Sequence, residues 1–122
     1  MVLVDTSVWI RALAGTAPFR SKLDGLIDRE EILAHELIYG ELLIGDTGGR
    51  KELLESYSHV PHAPVVPHAE VAQLVRSRKL NGRGIGWIDA HLLASALVAR
   101  AKLWTADSSL AAIARELRIE GP

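Results

Sequence analysis

Four acidic residues stand where an acid is costly or conspicuous: Asp5 directly after the apolar run MVLV, Glu41 in HELIYGELLIG, Asp89 in GWIDAHLLASALVA and Asp107 in KLWTADSSL. Glu41 has Leu37 and Ile38 one turn before it and Ile44 and Gly45 one turn after, so it lies on an apolar helix face. A carboxylate there loses hydration at an effective cost of several kcal/mol unless a cation or donors compensate it. Asp89 precedes Leu92 and Leu93 by one turn at the start of an apolar helix; its plainer role is a first-turn acid that complements the helix dipole. Asp107 follows Thr105 at the end of an apolar run, just ahead of a helix, and it is equally readable as the cap of that helix. If the four converge, they cannot all remain charged and unaccompanied. Two carboxylates about 4 Å apart repel by about 4 kcal/mol at an effective dielectric of about 20, so a cluster needs bound cations or protonation. Ligation by oxygen alone, with open positions, suits Mg²⁺ or Mn²⁺, and the chemistry that follows is metal-assisted phosphodiester hydrolysis.

The elements that must position these acids are readable from periodicity. The pattern predicts a strand over Val2–Val4, helices from about Ser7 to Ala14 and from about Pro18 to Asp28, and a strand at EILA. Helices follow from about Glu36 to Ile44 and from about Arg50 to Tyr57, then an extended APVV between prolines and a helix from His68 to about Leu80. A glycine-rich loop leads to a helix from about Trp87 to Ala101, the strand KLWT, a helix from Ser108 to Leu117 and a last strand at Arg118 to Glu120. No linker or repeat divides residues 1–122. Strands alternating with helices predict an α/β fold, one domain with a central parallel β-sheet flanked by helices on both faces. Asp5 and Asp107 then both follow strands, at the sheet edge where ligands bind in such folds.

Composition narrows the setting. A chain of 122 residues can bury a real core without staples. With no cysteine, thiolate metal sites and thiol nucleophiles are excluded. The longest uncharged helical stretch, LLASALVA, is far shorter than the roughly 20 residues of a membrane span. No basic leader precedes MVLV, so a cytoplasmic location is expected. The net charge of −1 gives no global sign of nucleic-acid binding.

MVLVDTSVWI, ELLIG, GIGWIDAHLLA and LWTADSSL resemble, in order and spacing, the PIN domain, most closely the VapC-type toxin ribonucleases. The likeness runs nearly end to end. It implies an endoribonuclease dependent on Mg²⁺ or Mn²⁺, with Asp5, Glu41, Asp89 and Asp107 as the catalytic, metal-binding acids. By the same resemblance Thr6, Ser7 and Thr105 are the hydroxyls that orient those acids or bound water. It also implies a homodimer silenced by a VapB-type antitoxin that occupies the active-site groove. Of the two glutamates in HELIYGELLIG, Glu41 meets the family's Leu-x-x-Gly pattern through Leu42 and Gly45. Glu36, in the first turn of the helix, is expected to be structural.

The chain from Val71 to Ile88 contains no acid but includes Arg76, Arg78, Lys79 and Arg83. Arg76, Lys79 and Arg83 could hold RNA phosphates beside a negatively charged site, or could simply form a solvated face. Trp87 is the best placed of three tryptophans to stack on a base, Trp9 and Trp104 lying in apolar segments. Histidine acid–base cleavage is a poorer fit, because three of the five histidines sit in the proline-rich SHVPHAPVVPH. An aspartyl-phosphate phosphatase usually has a second acid where this chain has Ser7, and a receiver domain needs its aspartate after a central strand, where this chain has APVVP. The remaining alternative is a catalytically silent PIN-like module that binds RNA or a protein partner.

Overall fold

The computed structural model describes residues 1–122. Its elements are β1 (Val2–Val4), α1 (Thr6–Leu13), α2 (Phe19–Asp28), β2 (Ile32–Leu33), α3 (Glu36–Ile44), α4 (Lys51–Ser58), α5 (His68–Ser77), α6 (Trp87–Ala99), β3 (Lys102–Trp104) and α7 (Ser108–Glu116). The three strands form a parallel sheet in the order β2-β1-β3, with Leu3 opposite Leu33 on one side and Leu103 on the other. All of β1 is buried, as an apolar run covered on both faces must be.

The chain leaves β1 for one edge of the sheet and returns to the other edge at β3. Right-handed crossovers in opposite directions place their helices on opposite faces, which is the two-sided architecture expected from the sequence. The same reversal opens a crevice between the carboxyl ends of β1 and β3. Leu3, Val4, Val8, Ile38, Leu92 and Leu103 fill the core beneath it, each 0–1% exposed.

The expected last strand shrinks to a single bridge, and the extended APVV segment forms no strand. Just ahead of it, His62 makes one parallel bridge to Ala34. Pro61, Pro64 and Pro67 lack N–H donors, so the ladder cannot extend past the bonds Ala34 N to Pro61 O and Ala63 N to Ala34 O, both 2.8 Å. At the other edge Glu120 bridges Leu103. Gly121 follows, and a Cβ there would lie 3.1 Å from the Leu103 carbonyl, a tight contact that glycine avoids. The last helical turns are also shorter than the periodicity suggests. α5 stops before Lys79 (φ 54°) and α6 before Arg100 (φ 53°), each left-handed residue closing its helix with a six-to-one bond, Leu80 N to Val75 O and Ala101 N to Ala96 O.

His35 is a structural residue that the sequence did not single out. It is fully buried; its Nδ1 accepts from Leu37 N at 3.1 Å to cap α3, and its Nε2 lies 2.9 Å from Ser95 Oγ on α6. With Nδ1 accepting, the ring is neutral and its proton is on Nε2, pointing at Ser95. Burial keeps its pKa below the ordinary value, Glu36 opposing. Its backbone N–H donates to the Tyr57 hydroxyl at 2.9 Å, tying α3 to α4.

Candidate active site

Asp5 is the first residue past β1, and its N–H continues the ladder to Trp104 O at 2.9 Å. It occupies the N-cap position of α1, yet its carboxylate makes no cap bond. Oδ2 instead accepts from two hydroxyls, Ser7 Oγ at 2.7 Å and Thr105 Oγ1 at 2.8 Å. Each of those hydroxyls is itself held by the backbone that follows β3. Ala106 N donates to Ser7 Oγ at 3.0 Å, and Asp107 N donates to Thr105 Oγ1 at 3.1 Å. Asp5 is only 6% exposed, and this hydroxyl pair fixes the rotamer of a nearly buried charge.

Glu41 is half-buried on α3, and its Oε1 accepts from Thr6 Oγ1 at 2.7 Å, next to Asp5 in the chain. The compensation its position demands is therefore one hydroxyl. Arg50, the closest cation in sequence, donates to the Leu42 carbonyl at 2.9 Å instead. Glu36 is exposed in the first turn of α3, as expected of a dipole-complementing acid.

Asp89, in the first turn of α6, accepts from Gly86 N at 3.0 Å through Oδ2. Asp107 caps α7, its Oδ1 accepting from Ser109 N at 2.8 Å and Leu110 N at 3.2 Å. The first-turn placement suggested for Asp89 and the cap suggested for Asp107 are thus real, but each occupies only one oxygen. Burial raises the Asp89 pKa, the charges of Asp5 and Asp107 raise it further, and the Gly86 N–H partly offsets them. Three acids from separate elements therefore share one electrostatic field.

One arrangement recurs at all four positions. Asp5 Oδ2, Glu41 Oε1, Asp89 Oδ2 and Asp107 Oδ1 are engaged by protein donors, while the second oxygen of each carboxylate accepts no protein hydrogen bond. The chain's ion pairs, Arg20–Asp24, Arg29–Glu31, Arg83–Glu116 and Arg115–Glu120, all lie elsewhere. As the side chains stand, no group of three or more acids or histidines is gathered closely enough to hold a metal ion. An open set of oriented oxygens without an internal cation fits Mg²⁺ or Mn²⁺, which retain water and bind through few carboxylates.

The flanking residues divide. Arg76 and Lys79 are exposed and have no acidic partner within 4.0 Å. Arg83 is different, with Nη1 3.1 Å from Glu116 Oε2 and Nη2 2.7 Å from Oε1. Trp87 is 42% exposed, stacked obliquely on His68 at 4.9 Å and packed against the edge of His91 at 5.2 Å. It borders a shallow cavity of about 120 Å³ beside the glycine loop. Trp9 and Trp104 are core residues, each 5% exposed. No histidine hydrogen-bonds to any of the four acids; His35 is consumed by its cap, and His62 Nδ1 lies 2.7 Å from the Val60 carbonyl.

Comparison with known proteins gives this arrangement a context. Residues 2–116 match the PIN domain. The chain is 43% identical over 117 residues to Ribonuclease VapC32 of Mycobacterium tuberculosis, in both strain H37Rv and strain CDC 1551, covering 95% of this chain and 92% of the relative. The crystal structure of PAE2754 from Pyrobaculum aerophilum superposes with a TM-score of 0.58 at 20% identity, over 91% of this chain and 82% of that one, a likeness of fold. No helix is long and apolar enough to cross a membrane. With its match spanning the crevice and every element around it, the chain belongs to the PIN domain family and is a homologue of the VapC ribonucleases.

Proposed function

We propose that this chain is the endoribonuclease toxin of a VapBC-type pair, hydrolysing RNA phosphodiester bonds with Mg²⁺ or Mn²⁺ held by Asp5, Glu41, Asp89 and Asp107. The carrying observation is that each acid commits one oxygen to the protein and leaves the other free, with no cation of the chain among them. Identity to a relative named a ribonuclease supplies the substrate class. A divalent ion bound there would supply the positive charge that stabilises the transition state at phosphorus and makes an attacking water more acidic.

The chain's own residues set the geometry. Ser7 and Thr105 hold Asp5 in a single rotamer, Thr6 does the same for Glu41, and the starts of α6 and α7 present Asp89 and Asp107. Arg76 and Lys79 attract the RNA backbone, which the acids alone would repel, and Trp87 offers a stacking face for a base. The enzyme acts in the cytoplasm, forms a homodimer and is restrained by a VapB-type antitoxin that covers the acid-lined crevice.

The test is cleavage of a mixed pool of structured cellular RNAs with Mn²⁺, with Mg²⁺ and with chelator, by the wild-type chain and by Asp5→Asn. Discrete cuts that need metal and vanish in Asp5→Asn are expected. Full cleavage by Asp5→Asn would overturn the site assignment. Metal binding without cleavage of any RNA in the pool would favour the silent binding module.

A further inference from the structure

Arg83 was one of the residues expected to meet RNA, but its guanidinium forms a two-pronged pair with Glu116 near the end of α7. One residue on, Gly84 (φ +84°) lies so close to the first turn of α7 that a Cβ there would stand 3.2 Å from Ser109 Oγ. Ser109 is also the residue whose N–H holds Asp107 Oδ1. Two residues further, Gly86 N–H holds Asp89 Oδ2. The short loop between α5 and α6 is thus laid along α7 and fixed near both ends of that helix, at points seven residues and about 10 Å apart.

We propose that Arg83 and Glu116 are positioning residues whose pairing clasps this loop to α7 and so sets the spacing between Asp89 and Asp107. The need for a clasp follows from the charges. Before a cation binds, Asp89 and Asp107 repel, and the glycine-rich loop 82–86, which leads into Asp89 and lies against α7, is compliant. A fork-to-fork arginine–carboxylate pair fixes orientation as well as distance, which a lysine could not do. Since both side chains are partly exposed, at 35% and 55%, the pair contributes little to global stability. Its effect belongs in the geometry of the site.

This inference rests on the metal site proposed above, and Mn²⁺ affinity measured by calorimetry at a temperature where every variant is folded separates the two. Glu116→Gln and Arg83→Gln should each weaken Mn²⁺ binding about 10-fold, the scale on which outer supports of metal ligands act. The exchanged pair, Arg83→Glu with Glu116→Arg, should recover most of that loss, and Arg83→Lys only part of it. RNA affinity without metal gives a signal of opposite sign. Were Arg83 an RNA ligand, Glu116→Gln would release it and tighten RNA binding, whereas a clasp leaves that affinity unchanged. Unaltered Mn²⁺ affinity in Glu116→Gln, or no recovery in the exchanged pair, overturns the clasp while leaving the metal site standing. A wild-type chain that binds no Mn²⁺ overturns both.

Discussion

Thr105, the first residue after β3, places its hydroxyl 2.8 Å from Oδ2 of Asp5, the first residue after β1. One hydrogen bond thus spans the crevice at the point where the direction of the chain's crossovers reverses, joining positions 100 residues apart. Ser7 closes the same junction, touching Asp5 on one side and lying 3.3 Å from Thr105 on the other.

The Ser7–Thr105 pair should therefore matter more to metal binding than to folding. Ser7→Ala removes a donor to Asp5 and the acceptor of Ala106 N–H. The expected stability loss is about 1–2 kcal/mol by denaturant unfolding, with a loss of Mn²⁺ affinity of about 10–100-fold. Equal Mn²⁺ affinity in Ser7→Ala would mean that Asp5 needs no such orientation.

Asp89 carries a stability cost at neutral pH. Its folded pKa lies above its ordinary value of 3.8, so ionisation is disfavoured in the fold and stability falls as pH rises past that value. Without metal, Asp89→Asn should melt higher than wild type at neutral pH, and the difference should disappear in acid, where Asp89 is protonated in both states. A lower melting temperature for Asp89→Asn at neutral pH would show that the charged carboxylate's bond to Gly86 outweighs its burial and the repulsion.

His35 imposes a pH dependence of the opposite sign. Its folded pKa lies below 6.5, so below that pH the unfolded chain takes up a proton that the folded chain refuses, and stability falls as pH falls. The melting temperature should drop from about pH 7 to about pH 5 in wild type, and part of that slope should vanish in His35→Asn, which keeps an oxygen to cap α3. An identical slope in both proteins would assign it to other groups.

The basic stretch is testable by salt. Neutralising Arg76 and Lys79 should weaken RNA binding across sequences and lower the slope of log affinity against log salt by about one to two. No change in slope would make them a solvated helix face.

Most of this architecture was legible from residue order, for identifiable reasons. The apolar runs at Val2–Val4 and Leu103–Trp104 each end in a polar residue that begins the crevice, and β-sheet logic puts both at one edge. Glu41 stood out because its helix face is apolar, and it does turn toward Thr6. Less legible was which atom of each acid is occupied, since the cap at Asp107 engages one oxygen of the carboxylate and leaves the other without a protein donor. The Arg83–Glu116 pair was hidden because its partners lie 33 residues apart and only the packing of the loop on α7 joins them. His35 gave one faint signal, a lone Ser95 inside an otherwise apolar stretch of α6, which becomes meaningful only once α3 and α6 are known to touch. In APVV the apolar character was read correctly, but the prolines that frame it remove the donors a strand would need.

The most direct measurement is the melting temperature of wild type and Asp5→Asn across a Mn²⁺ titration, repeated with Mg²⁺. An ion that binds only the folded chain stabilises it by mass action, by about 2.7 kcal/mol at one hundred times its dissociation constant, or roughly 10 °C for a domain of this size. The account predicts a concentration-dependent rise in wild type that is absent in Asp5→Asn. A rise of equal size in both proteins, or none in either across millimolar metal, would contradict it.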